Sequence, residues 1–396
     1  MIRSFTSLRR FAWTLSRARA WPALACRLLA TAAVALFLLS LPACASPSAA
    51  DSRAAFVDRM VKTHGFARRD VQNILARISH QQPIIAAISR PAEQALLWRD
   101  YRKIFLTEQR IAQGLAFWSE HEAALQRASQ TYKVEPEVIL AIIGVETSYG
   151  RNVGKYRVLD ALGTLGFGYP PRAEFFLTEL ENFLLLCREQ NLDINSVVGS
   201  YAGSMGYGQF IPSSYRNFAV DFSGDGRADI IANPTDAIGS VANYFERHGW
   251  QMGAPVALPL TPPGSAFGAV ANLGTEPKDS LGELVTRGLT AGALRADEKV
   301  VLFKFDGEQG DEYWAGLKNF YVITRYNRSP MYALAVLQLA QALAAARNAQ
   351  RLDGEPAARN APRPDGEPAA RNAARPVQPS PALQTPALQT TGAAAP

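Results

Sequence analysis

Apolar positions crowd most densely between Val134 and Gly150, VEPEVILAIIGVETSYG, where Val138, Ile139, Ala141, Ile142, Ile143 and Val145 follow Pro136 almost without polar relief. Proline is tolerated in a first helical turn, and a helix apolar all round is a buried one, so this stretch predicts a core helix stopping near Gly150. Glu146 comes three, four and seven residues after Ile143, Ile142 and Ile139 and therefore shares their face. A carboxylate against an apolar wall at the negative end of a helix dipole is expected to hold its proton more tightly than a solvated one. A general acid near neutral pH requires such a setting. A helix-end Glu paired with an arginine for structure is the plain alternative.

Three-four spacing also marks AAFVDRMVKTHGF, RDVQNILARI and RIAQGLAFWSEHEAALQRASQTYKV, which predict an N-terminal helical lobe over 52–130. Residues 131–250 form the expected catalytic core. It contains the Glu146 helix, a short buried helix in YRVLDALGTLGF and a long amphipathic one in YPPRAEFFLTELENFLLLCREQ, entered through Pro170 and Pro171. Beyond Trp250 the pattern changes. PVALPL, KVVLFKFD and NFYVITRY read as strands between Gly- and Pro-rich loops, giving a small β-rich lobe over 251–322. Residues 323–346 return to helix. From 350 to 396 the chain repeats DGEPAARNA and PALQT, is rich in Pro and Ala, and has too little apolar surface to fold, so it predicts a disordered tail. The class is mainly α, of the α+β kind.

Charge adds a leader to this picture. The formal charge of +6 lies wholly in Arg3, Arg9, Arg10, Arg17, Arg19 and Arg27, and their removal leaves 35 basic against 35 acidic residues. A nucleic-acid partner loses its electrostatic support with them. Leu28 to Leu41 is apolar and uncharged, short for a membrane span and suited to a signal-peptide core, so residues 1–45 are read as an export signal. Leu41-Pro42-Ala43-Cys44 has the form of a bacterial lipoprotein box, and lipidation of Cys44 is the reading taken; ordinary cleavage before Ser46 is the alternative. After either cut only Cys187 is sure to remain, in an apolar run where it reads as a small buried hydrophobe. His64, His80, His121 and His248 are scattered without ligand spacing.

Two further stretches carry candidate chemistry. SYAGSMGYGQFIPSSY, Ser200 to Tyr215, sets small residues beside Tyr201, Tyr207, Phe210 and Tyr215 and one long amide, Gln209, a composition suited to a sugar cleft. A glycine-rich turn with core aromatics would read the same way. In DFSGDGRADIIANPTD, Asp221, Ser223, Asp225 and Gly226 match the first half of a calcium loop, with Arg227 offering a carbonyl. The twelfth position is Ala232, so Asp229 or Asp236 must close the site; Asp236 also suits the N-cap of the next helix. An Asp-Gly turn without metal is the alternative.

With those residues in hand, the chain resembles the membrane-bound B-type lytic murein transglycosylases. The motifs are GVETSYG, SYAGSMGYGQFIPSSY, DFSGDGRADI with DAIGSVANYF, and YNRSPMYALAV, all in one order across Ser52 to Ala345. The resemblance implies a lysozyme-like helical core with an added helical lobe and a small β lobe. It makes Glu146 the catalytic glutamate, acting without a catalytic cofactor. It places Arg172, Ser200, Gln209, Phe210, Tyr244, Tyr326, Asn327 and Tyr332 on the glycan cleft, and structural Ca²⁺ on Asp221, Ser223, Asp225, Arg227 and Asp236. Arg172 matches the second of two adjacent ligand-contacting arginines, and Pro171 stands where the first would be. The implied substrate is the peptidoglycan strand, cut between N-acetylmuramic acid and N-acetylglucosamine with closure of a 1,6-anhydro ring. The implied setting is the periplasm, at the outer membrane, with other cell-wall enzymes as partners. A hydrolysing muramidase on the same fold and a non-catalytic glycan-binding lipoprotein are the rival readings.

Overall fold

The computed structural model describes residues 49–90, 96–260, 271–280, 282–283 and 297–359. Cys44, the leader and the tail beyond 359 lie outside the described residues. The chain divides into two units between Ala346 and Arg347, and the first holds the helical core and the β lobe.

Among the described residues six helices open the fold: α1 Ala49–His64, α2 Arg68–Ala76, α3 Gln82–Ile88, α4 Trp98–Phe105, α5 Glu108–Glu120 and α6 Glu122–Tyr132. The core helix is α7, Pro136–Thr147, with Pro136 in its first turn and every residue from Val138 to Val145 buried. It ends just short of the expected stop. Ser148, Tyr149 and Gly150 all take positive φ (51°, 61° and 83°). The Ser148 amide donates to Gly144 O and the Tyr149 amide to Ile143 O, a six-to-one closure that satisfies the last carbonyls.

Strand β1, Tyr156–Arg157, leads into α8, Val158–Gly168, and pairs with β2, Val198–Gly199, which brings the glycine-rich stretch back beside α7. A single 3-10 turn, Pro170–Arg172, precedes α9, Ala173–Glu189, so the long helix starts later than the prolines suggested. Cys187 is buried there, its thiol pushed up to about 12 by burial and then by Asp193, which makes it an inert core group as expected. Helices α10, Pro212–Phe218, and α11, Pro234–Arg247, complete the core. Asn233, not Asp236, caps α11, accepting from the Thr235 amide.

The β lobe is a four-stranded antiparallel sheet in the order β3 Ala257–Leu260, β6 Gly310–Gly316, β5 Lys299–Gly307, β4 Asp279–Ser280. Val301, Phe303 and Phe305 point from β5 into the main core, while Val300 and Leu302 alternate to a small cluster with Ala315 and Leu317. Phe305 meets Trp98 of α4 at 5.6 Å, tying lobe to helices.

Two elements differ from the sequence reading. NFYVITRY is not a strand: α12, Lys318–Tyr326, is a helix that buries Asn319, Phe320, Val322, Ile323 and Thr324. Its β-branched residues favour a strand locally, but burial spaced by three and four against the core decides the outcome. The last helix, α13, runs Pro330–Arg359 and so continues past 346 into the first DGEPAARNA repeat. Among the described residues no single helix is long and apolar enough to cross a membrane.

Candidate active site

The C-terminal end of α7, the glycine-rich stretch, the start of α9, α11 and the α12–α13 corner surround a cavity of about 720 Å³. Glu146, Arg172, Gln209, Phe210, Tyr244, Tyr326 and Asn327 all line it. Seven of the nine residues expected at the site thus meet in one cleft. Tyr332 lies behind it, only 3 % exposed, and its hydroxyl donates to Glu146 Oε1 at 2.5 Å. Burial, followed by the charge of Glu146, holds the Tyr332 phenol well above its ordinary value, so the hydroxyl keeps its proton at any working pH.

Ser200 is the exception. It is absent from the cavity lining, and its Oγ accepts from the amides of Ala202 and Ser204. Its oxygen staples the turn that carries the cleft wall. Tyr207 and Tyr215 follow the plain reading of their motif. Tyr207 packs on Phe117, and buried Tyr215 donates to Ala228 O.

The glycines let the wall come close. A Cβ on Gly206, which has φ 73°, would sit 2.2 Å from Ile230 O. One on Gly208 would meet the Tyr326 hydroxyl at 2.8 Å, where that hydroxyl donates to Gly208 O. Gln209 itself takes φ 49° and gives its amide protons to Val153 O and Gly206 O. Both donors are therefore held by backbone while the side chain borders the cleft.

The floor is aromatic. Tyr244 and Tyr326 meet at 4.8 Å, Phe210 lies 5.8 Å from each, and His248 stacks on Tyr244 at 4.0 Å. The Tyr244 hydroxyl donates to Arg325 O at 2.6 Å, linking α11 to the α12–α13 corner. Beneath the wall, buried Glu179 of α9 accepts from the Ser213 amide and hydroxyl at 2.9 and 2.8 Å and so anchors the start of α10.

Glu146 is the only carboxylate among the described cavity-lining residues. Asp160 of α8 is 6 % exposed, holds Arg157 through two 2.8 Å bonds and accepts from the Ser79 amide. It is a structural ion pair. Phe175, Ser204, Ile211, Ser214, Arg325 and Arg328 also line the cleft and were not singled out from the sequence. Arg328 lies within the YNRSPMYALAV motif and Arg325 directly before it, and that was the available signal.

The loop at Asp221 is the one place among the described residues where three metal-ligating groups converge. Asp221, Asp225 and Asp236 can each bring a carboxylate oxygen within 4.8 Å of the others. Asp236 is fully buried and accepts from the amides of Phe222, Ser223 and Asp229, which draws both ends of the loop around it. Asp221 accepts from the Gly224 and Gly226 amides, both at 2.7 Å. Asp229 instead closes its own turn onto Ile231 and Ala232 and lies outside the cluster. An all-oxygen, carboxylate-rich set suits a hard divalent cation.

Residues 48–341 match the family described as Transglycosylase SLT domain. The chain is 48% identical over 304 residues to membrane-bound lytic murein transglycosylase B of Escherichia coli (strain K12), an alignment that covers 74% of this chain and 82% of that protein. The crystal structure of soluble lytic transglycosylase SltB1 from Pseudomonas aeruginosa is similar with a TM-score of 0.71 and 52% identity, covering 75% of this chain and 99% of that one. The Escherichia coli lytic transglycosylase Slt35, solved in complex with calcium, is similar with a TM-score of 0.68 and 47% identity, covering 75% and 93%.

Proposed function

The chain belongs to the Transglycosylase SLT domain family and is a peptidoglycan-cleaving lytic transglycosylase, and from that premise we propose that Glu146 is its single acid and base. The observation that carries this reading is the Glu146 carboxylate at the cleft, pinned by Tyr332 and without a second cavity-lining carboxylate among the described residues. Ordinary glycosidases use two carboxylates, the second as nucleophile or as base toward water. Here the substrate supplies the nucleophile.

The muramoyl unit lies on the Phe210, Tyr244 and Tyr326 floor with its β-1,4 bond beside Glu146. Protonated Glu146 gives its proton to the glycosidic oxygen as the bond to C1 breaks. The resulting carboxylate takes the proton of the C6 hydroxyl, and that oxygen bonds C1 to close the 1,6-anhydro ring. Glu146 ends as it began, and no water is consumed. Tyr332 holds the carboxylate in place, while Gln209 and Asn327 line the glycan's path. Arg172 meets an anionic part of the substrate, Pro171 contributing no charge beside it. Ser200 acts through the turn it closes.

Calcium is structural in this reading, held by Asp221, Asp225 and Asp236 with Ser223 and the Arg227 carbonyl completing the shell. It lends rigidity to the loop entering α11 and takes no part in the chemistry. The protein is exported, lipidated at Cys44 and held at the outer membrane facing the periplasm, where other cell-wall enzymes share its substrate.

Mass spectrometry of the muropeptides released from purified sacculi tests the reaction. Anhydro-muramoyl ends, lighter by one water than reducing ends, are expected. Reducing ends alone would make the protein a hydrolase on the same fold.

A further inference from the structure

The charges lining the cleft do not balance. Arg172, Arg325 and Arg328 face one carboxylate, Glu146, in the same cavity. None of the three guanidiniums has a carboxylate partner among the described residues. Arg172 lies over the Phe175 and Phe176 rings at 4.4 and 5.0 Å, and Arg325 lies 5.7 Å from the Tyr321 ring. All three are exposed to the cleft solvent. Some exposed arginines elsewhere are neutralised, as Arg68 is by Asp58 and Arg216 by Glu189, but here three unneutralised ones share a single cavity. A low-dielectric aromatic floor under uncompensated cations concentrates positive potential and attracts anions.

The placement of two of these cations narrows the anion. Arg325 is in the last turn of α12 and Arg328 in the connection to α13, on either side of Tyr326-Asn327. The Arg325 backbone is fixed by the Tyr244 hydroxyl bonded to its carbonyl. Both arginines line the cavity that Tyr326 lines, so a sugar bound there has two guanidiniums in the same cleft. On the reading of this cavity as a glycan cleft, that sugar carries a lactyl-linked peptide whose free α-carboxylates extend away from the ring. Guanidinium forks match carboxylates in planarity and spacing, which an ammonium does not.

We propose that Arg325 and Arg328 read the carboxylates of the peptide stem, making the α12–α13 corner a determinant of preference for stem-bearing over bare glycan. They act on binding, and the chemistry at Glu146 proceeds without them.

The test compares three probes: a stem-bearing GlcNAc–MurNAc oligomer, the same oligomer stripped of its stems to leave lactyl carboxylates, and a chitooligosaccharide with no carboxylate. Binding is measured in a Glu146→Gln background with and without Arg325→Gln and Arg328→Gln, over a range of salt. The double change is expected to weaken the stem-bearing probe about tenfold, the scale of two solvent-accessible charge-assisted contacts, and to flatten its salt dependence. The other two probes should change less than twofold. Arg325→Lys with Arg328→Lys should restore the salt dependence but only part of the affinity. Equal losses on all three probes, no loss on the stem-bearing one, or an equal loss on the stripped oligomer would overturn the proposal. Anhydro-ended products from the unaltered enzyme report separately on the cleft reading, which stands or falls without these arginines.

Discussion

The Tyr332 hydroxyl donates to Glu146 Oε1 at 2.5 Å across 186 residues of chain. One partner lies near the end of the core helix and the other near the start of α13, so packing of α13 against the core aims the Glu146 carboxylate. Tyr332→Phe keeps the buried ring and removes only that bond. We expect kcat to fall about tenfold to a hundredfold, the cost of a carboxyl displaced by about 1 Å, with KM and melting temperature nearly unchanged. Glu146→Gln should abolish turnover while glycan binding persists. A Tyr332→Phe enzyme with full kcat would show that Glu146 is oriented without Tyr332.

Glu179 provides a pH-dependent prediction away from the chemistry. Burial raises its carboxyl above the ordinary value of 4.5, and the Ser213 bonds offset this only in part. An acid with a raised folded pKa binds more protons folded than unfolded between the two values. Its contribution to stability is therefore full below the ordinary Glu value and declines as pH rises through the raised one. Gln at 179 can still accept from the Ser213 amide and can donate to its hydroxyl. Glu179→Gln should be near neutral in stability at pH 7 and should flatten the stability profile over that window. Glu179→Ala should cost about 1–3 kcal/mol by orphaning partly buried Ser213 groups, with raised KM from a loosened Ile211–Ser214 wall. Chemical denaturation at several pH values, with parallel kinetics, checks both.

How much of this was readable beforehand depended on the range of each interaction. The α7 helix and the position of Glu146 at its end follow from a continuous apolar run, a signal contained within about a dozen residues. NFYVITRY carried an equally local signal that pointed the wrong way, because Phe320, Val322 and Ile323 suit a strand until a core is present on one side. GDEYWAG went unread as a strand because its hairpin partner, KVVLFKFDG, supplies most of the apolar residues of the pair. Family resemblance supplied Tyr332 and Ser200 as cleft positions. The folded structure separates their parts: Tyr332 touches Glu146, whereas Ser200 spends its oxygen on Ala202 and Ser204. The residues alone left Asp229 and Asp236 both open as the closing ligand and the family resemblance pointed to Asp236, yet neither showed its place inside the first turn of α11, behind Asn233.

Calcium should raise the melting temperature without changing kcat. Ligand that binds only the folded state contributes about 2.7 kcal/mol at a hundred times its Kd. Removing calcium with chelator should lower the melting temperature of the unaltered protein. An Asp221→Ala, Asp225→Ala double variant keeps Asp236 and its three amide bonds and should not respond. Equal responses from both proteins would remove the site from the Asp221 loop.

Gln209 links backbone strain to turnover. Its positive φ and its two bonds to Val153 O and Gly206 O hold it rigidly at the cleft edge. Ring closure requires the C6 oxygen to reach C1 in line with the departing bond, so a rigid neighbour that limits sugar rotation acts on the reaction more than on affinity. Gln209→Ala releases Val153 O and Gly206 O and frees the turn that carries Phe210. It should lower kcat by about tenfold or more while binding, measured in the Glu146→Gln background, weakens less than threefold. Gln209→Glu places a carboxylate against two carbonyl oxygens and should perform worse than Ala, because it adds repulsion to the lost bonds. If binding falls as far as turnover in Gln209→Ala, the residue grips the strand without orienting it, and positioning of the muramoyl ring must then be assigned to Tyr326 and the aromatic floor.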